Sequence, residues 1–176
     1  AQLLERSLTE NFTLGLPSAP GPKDIKRLTE ILDELGLKDL KQQVKHEFLR
    51  KAPLEGPQTW MKSLTPTEVG LIGLVRALMM NPEVMVLQKP FQLFQDEMTK
   101  KMGRLIVEHV ENRGLKLDLA TVALRRPRTV IMSVATSEAE ATLAGVVWTT
   151  LPSGEGWSSA GVVGPSELAA AVRRAG

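Results

Sequence analysis

Apolar residues fall at helical spacing in some stretches of this chain and in unbroken runs in others, with glycine and proline marking the boundaries. Ile25, Leu28, Ile31, Leu32 and Leu35 share one face of a predicted helix that opens at Lys23 or Asp24 and ends at Leu35, before Gly36. Ahead of it, SAPGP at 18–22 is a loop and residues 1–16 are a short apolar lead-in. A second helix, over about 39–51, repeats the stripe through Leu40, Val44, Phe48 and Leu49, and Pro53, Gly56 and Pro57 break it.

Thr65 has the chemistry of an N-cap. Its hydroxyl can accept from a free amide of the first turn, Pro66 suits the first helical position, and Glu68 completes a capping box. That helix runs to Met80, where Asn81-Pro82 stops it. Residues 84–87, VMVL, are apolar without alternation, the pattern of a strand buried on both faces. A helix over about 92–112 turns Met98, Met102, Leu105, Ile106 and Val110 inward and leaves Lys100 and Lys101 wet. After a less regular stretch to Pro127 the pattern predicts a second buried strand at 129–134 and a short helix at 137–144. It then predicts a third strand at 145–150, a turn at 151–156, an edge strand at 157–163 and a closing helix at 165–174. Helices first, then strand and helix in alternation, predict an α/β sheet with a helical subdomain.

Composition narrows the function classes. With 176 residues, 43% hydrophobic and 24% charged, the chain is long enough for one domain with a core. A net charge of +2 and 4% aromatic residues leave little for a phosphate backbone or a base to meet, so nucleic acid is not an expected partner. The absence of cysteine rules out a disulfide, a thiolate nucleophile and a cysteine zinc site. His46 and His109 are far apart and read as helix-surface or boundary residues, while Met79, Met80, Met85 and Met98 read as core filler. Arg125, Arg126 and Arg128 make a basic patch expected in a solvated turn, and Trp60 and Trp148 are expected to pack. No apolar run reaches the roughly 20 residues that cross a bilayer. Glu5 and Glu10 stand where a signal peptide would be apolar, and the start at Ala1 reads as an excerpt of a longer chain.

Several segments carry a resemblance. LTPTEVGLIGLVRAL at 64–78 lies without a gap over the pattern LSGGQxQRxxLARAL, and NPEVMVLQKP at 81–90 lies over NPxxLLLDEP at the expected spacing. SLTENFTLGLP at 7–17 is similar to TVxENLxLG, and ILDELGLKDL at 31–40 to an LGL helix. Residues 129–156 are similar to a strand, switch-histidine, strand and turn succession, and GPSEL at 164–168 to a GxxxEL helix start. In this order the segments resemble the later half of the nucleotide-binding domain of the ATP-binding cassette (ABC) family, over about residues 3–170.

The resemblance implies a fold of class α/β: a partial P-loop-NTPase-like domain with mostly parallel strands flanked by helices, plus an α-helical signature subdomain. It implies one domain over 1–176, with about 17–80 as the helical subdomain and about 84–176 as the later strands and helices. It places nucleotide-facing positions at Thr65, Thr67, Glu68, Gln88 and Lys89, all of them degenerate. Hydrolysis needs one carboxylate to hold magnesium and another to polarise water, and Gln88 and Lys89 supply neither. Pro66 lacks the amide hydrogen that a signature glycine would present, Glu68 would repel phosphate, Gln95 replaces the D-loop aspartate and Ala135 the switch histidine. No GxxxxGKS/T phosphate loop occurs.

What the resemblance then implies is a chain that binds ATP weakly or not at all by itself, does without magnesium and does not hydrolyse. Its implied partners are a second ABC nucleotide-binding domain and the transmembrane domain of a transporter, on the cytoplasmic side of a membrane reached through the rest of the chain or a partner. Lys89 either substitutes its charge for magnesium or has drifted at a disused site. Two other readings stay open: an active ATPase to which this chain lends Thr65 and Thr67 in trans, and a nucleotide-independent interaction module that docks through the helical face at 24–51.

Overall fold

Helices α1 (Leu8–Thr13), α2 (Pro22–Glu34), α3 (Lys38–Arg50) and α4 (Pro66–Met80) precede strand β1 (Val84–Gln88), helix α5 (Asp96–Glu111) and strand β2 (Thr129–Ser133). Two further strands follow, β3 (Val147–Ser153) and β4 (Gly156–Val163), and 3-10 turns lie at Thr59–Ser63 and Leu119–Leu124. The structure, a computed structural model, describes residues 2–50, 59–133, 147–153 and 156–163. The expected helices at 137–144 and 165–174, and Ala135, lie outside the described residues.

α1 is a helix that the apolar pattern does not announce. A reciprocal box starts it: the Glu10 amide donates to Ser7 Oγ at 3.1 Å, and the Ser7 amide donates to the Glu10 carboxylate at 3.0 Å. Six residues cannot hold a helix by propensity alone. Burial of Leu8 and Phe12 does so, and Glu47 of α3 accepts from the amides of Leu8 and Thr9 at 3.2 and 2.8 Å. That places a carboxylate at the positive end of the helix.

α2 begins where the Gly21 amide donates to Asp24 at 2.9 Å, and its stripe is fully in the core: Ile25, Leu28, Ile31 and Leu32 are all buried. α3 ends at Arg50, buries Leu40 and Val44 and packs half-buried Phe48 against the core, but Leu49 is 77% exposed, so the expected stripe holds except at its last residue. α4 starts and ends as expected, and Asn81 closes it in the left-handed region at φ 52°. Met80 is the exception among the core methionines. It is half-exposed and lies over Gly15, where an added Cβ would come within 2.8 Å of Met80 Cε.

Buried positions of α1 to α4 join Met85, Phe91, Met102, Leu105, Ile106 and Leu115 in one cluster, so the core is continuous from the helices to the first strand. α5 starts later than expected, at Asp96, because residues 89–95 turn out of the strand before the helix can begin. Its inward face also differs at one place: His109 is fully buried and Val110 is exposed.

β1 and β2 pair in parallel, Val84 opposite Thr129 and Gln88 opposite Ser133, with α5 in the connection between them. This is the parallel pairing that the alternation of strand and helix predicts. The expectation of strands buried on both faces is not met. Met85, Leu87, Val130 and Met132 face the helices, whereas Val84, Val86 and Ile131 are 59%, 73% and 56% exposed. An unbroken apolar run is compatible with two covered faces but does not enforce them. β3 and β4 pair antiparallel rather than joining the parallel sheet, and the expected turn at 151–156 is mostly strand, since Ser153 pairs with Gly156.

Two arginines, Arg27 buried and Arg125 half-buried, tie these elements together. Arg27 of α2 donates from Nε to the Leu115 carbonyl at 2.7 Å and from its two Nη atoms to the Met79 and Leu78 carbonyls at 2.9 and 2.7 Å. The last turn of α4 and the segment after α5 are thus held by one guanidinium. Arg125, expected in a solvated turn, is instead a brace: it donates to the carbonyls of Arg113, Asn112 and Asp118, and its own carbonyl accepts from Arg113. Arg126 remains on the surface beside Glu83, and Arg128 reaches Asn81 at 3.2 Å. Trp60 packs against the core and donates to the Arg6 carbonyl; Trp148 lies in β3, of which the backbone alone is described. Among the described residues no helix is long and apolar enough to cross a membrane.

Candidate functional site

The five sequence-predicted positions divide into two groups. Thr65, Thr67 and Glu68 open α4; Gln88 and Lys89 sit at the C-terminal end of β1.

At the start of α4 the side chains of Thr65, Thr67 and Glu68 each make a hydrogen bond within the fold. Thr65 donates from its amide and its hydroxyl to the Glu68 carboxylate, each at 2.8 Å, and the Glu68 amide donates back to Thr65 Oγ1 at 3.2 Å. Thr67 Oγ1 donates to the Leu93 carbonyl at 3.0 Å, which fastens α4 to the turn beyond β1. Pro66 occupies the first helical position and has no amide hydrogen. The capping box therefore explains Thr65 and Glu68 as helix-starting residues. Thr65→Ala is expected to lower stability by about 1 kcal/mol through loss of the cap. A urea denaturation midpoint unchanged by the substitution would contradict that role.

The end of β1 is different. Lys89 is exposed and takes a left-handed backbone at φ 42°, unusual for a residue with a side chain. Its amide donates to Ser133 Oγ at 2.9 Å, so the end of β2 fixes the turn that follows β1. Among the described residues no carboxylate pairs with the Lys89 ammonium. Gln88, also exposed, is the last paired residue of β1. Gln95, at the expected D-loop position, is the exposed N-cap of α5, and its side chain makes no capping bond.

Gln88 and Lys89 line an open groove of about 310 Å³ between α4 and the turn 89–94. From α4 it receives Gly70, Gly73 and Arg76; Phe94 closes the opposite side, near enough to Gly70 that an added Cβ would lie 3.4 Å from the ring. Thr65, Thr67 and Glu68 are not among the lining residues. Arg76 is the residue that sequence reasoning missed. It lies within the VRAL stretch at 75–78, where its place on one helix face opposite the β1 turn carries no one-dimensional mark. Its two Nη atoms donate to the Gln2 carbonyl at 3.3 and 3.2 Å, a contact that leaves its positive charge unneutralised.

Among the described residues no group of three histidine, cysteine or acidic side chains could hold a metal ion. His46 lies on the surface of α3 as expected, but His109, expected at a surface or boundary, is fully buried, and among the described residues neither ring nitrogen has a hydrogen-bond partner. No protein-family model matches the chain, and no curated protein matches it.

Proposed function

We propose that this chain is a catalytically degenerate nucleotide-binding domain of the ABC type, a non-hydrolysing structural or regulatory partner within a transporter's composite ATPase dimer. The observation that carries the reading is the end of β1. In open α/β sheets ligand chemistry gathers at the carboxyl ends of parallel strands. Here that end presents an amide and an ammonium, Gln88 and Lys89, where hydrolysis would require two carboxylates. An amide is a poor base and an ammonium repels a divalent cation, so neither side chain can activate water or hold magnesium.

The surrounding order supports the family part of the reading. A capped helix, a left-handed Asn81 stop, a parallel strand, a helix and a second parallel strand follow one another in the sequence the resemblance implies. The engagement of Thr65, Thr67 and Glu68 within the fold weighs against the reading in which they grip a partner's phosphate. ATP is then a weak ligand of this chain at most, and transport is powered by the partner domain.

The test uses the intact protein assembled with its partner cassette, in a coupled phosphate-release assay. Thr67→Ala is expected to leave the assembly's ATP turnover within about twofold of the parent. A loss of about 100-fold with the assembly intact would instead assign the segment a role in trans and overturn the non-catalytic reading.

A further inference from the structure

The groove beside β1 is a product of this particular sequence, and its chemistry is not that of a magnesium site. Arg76 from α4 and Lys89 from the turn after β1 bring two cations to one depression, and among the described residues no carboxylate lines it. Gln92 adds an amide, and the Phe94 ring supplies an apolar wall facing Gly70; Gly70 and Gly73 are two lining positions where α4 offers no side chain. Two neighbouring cations without a neutralising acid raise the local positive potential, and a wall of low polarity strengthens their pull on an anion. Among the described residues neither cation meets a carboxylate: Arg76 donates to the neutral Gln2 carbonyl, and Lys89 forms no ion pair.

We infer that this groove binds a small organic phosphate directly, without a metal ion, its phosphate between Arg76 and Lys89 and its apolar body on Phe94. The guanidinium and the ammonium supply the charge that a divalent ion would otherwise contribute. The left-handed turn at Lys89, tied to Ser133, fixes the backbone from which the ammonium projects. The inference concerns the groove alone and does not depend on the composite-dimer reading, which could fail while the groove still binds.

Phenyl phosphate is a suitable probe, with inorganic phosphate for comparison, titrated into the full chain by calorimetry at low ionic strength and followed by amide chemical shifts. Phenyl phosphate is expected to bind at least about tenfold more tightly than inorganic phosphate, because only it covers the Phe94 ring. EDTA should leave its affinity unchanged. Lys89→Gln and Arg76→Gln should each weaken it about tenfold, the loss of one charge-assisted hydrogen bond, and amide shifts should centre on Gly70, Gly73 and Phe94. Arg76→Lys keeps the positive charge and should retain most of the affinity. The inference is overturned if phenyl phosphate does not bind at millimolar concentration, if binding requires magnesium, or if both glutamine variants bind as the parent does.

Discussion

Replacing Arg27 by Met is expected to destabilise the protein by about 3 to 5 kcal/mol, more than any surface substitution. The guanidinium is buried and supplies hydrogen bonds to three backbone carbonyls, those of Leu78, Met79 and Leu115. Methionine fills much of the volume and satisfies none of them, and an unpaired buried carbonyl costs on the order of 1 to 3 kcal/mol. Burial also works against the charge itself: it pulls the Arg27 pKa down to about 10, with Asp24 one turn earlier opposing the shift and Arg125 adding to it. The charge is tolerated because Leu78 and Met79 belong to the last turn of α4, the negative end of the helix dipole. For a chain of this length the loss corresponds to a fall in melting temperature on the order of 10 °C. Arg27→Lys keeps the charge but cannot reach three carbonyls with one ammonium, so it should fall between parent and Met. A shift below about 1 kcal/mol for Arg27→Met in urea denaturation would show that the carbonyls find other partners.

His109 gives the second large effect, and its sign is opposite. The ring is fully enclosed and neither nitrogen has a hydrogen bond of normal geometry. Burial pushes its pKa down to about 4, with Arg128 and then Arg27 adding repulsion; the nearby Pro82 carbonyl acts the other way without making a standard hydrogen bond. The folded-state pKa lies below the unfolded value of about 6.5, so the imidazole is neutral in both states above that value and costs nothing there by titration. As pH falls below 6.5 the unfolded chain takes up a proton that the folded chain refuses until about pH 4, and stability drops through that window by as much as about 3 kcal/mol. Asp33 and Glu97 are held below the ordinary carboxylate range by Lys41 and Lys101, so their loss comes at lower pH. His109→Leu removes two unpaired nitrogens and is expected to raise stability at pH 7 by about 1 to 2 kcal/mol. It should also flatten the decline between pH 6.5 and 4. The same decline in the variant, measured by urea midpoints at several pH values, would place the proton uptake elsewhere.

These two residues show where a linear reading stops. Arg27 precedes Ile31 by four positions and so flanks the apolar stripe of α2, but its three acceptors come from α4 and from beyond α5, and no local pattern names them. His109 stands four after Leu105 and three after Ile106, at core spacing, as Val110 does relative to Ile106. Hydrophobicity favours Val110, whereas the packing of α5 turns His109 inward. Thr65, Pro66 and Glu68 were legible because a capping box is written within four residues and closed by its own bonds. Ser7 and Glu10 carry the same signal for α1, masked by the shortness of the apolar segment behind it. At the candidate site Gln88 and Lys89 were legible as the end of a strand. Arg76 was not, because its role depends on how α4 lies against the turn beyond β1.

If the end of β1 does not hydrolyse nucleotide, as proposed, the intact protein can be assayed with the proposed partner cassette at saturating ATP and magnesium. Phosphate release by the assembly should be the same, within about twofold, for the parent and for Lys89→Ala, because the ammonium takes no part in the reaction. Turnover that falls by about 100-fold or more on that single change, with the assembly still formed, would make Lys89 part of a working site and contradict the account.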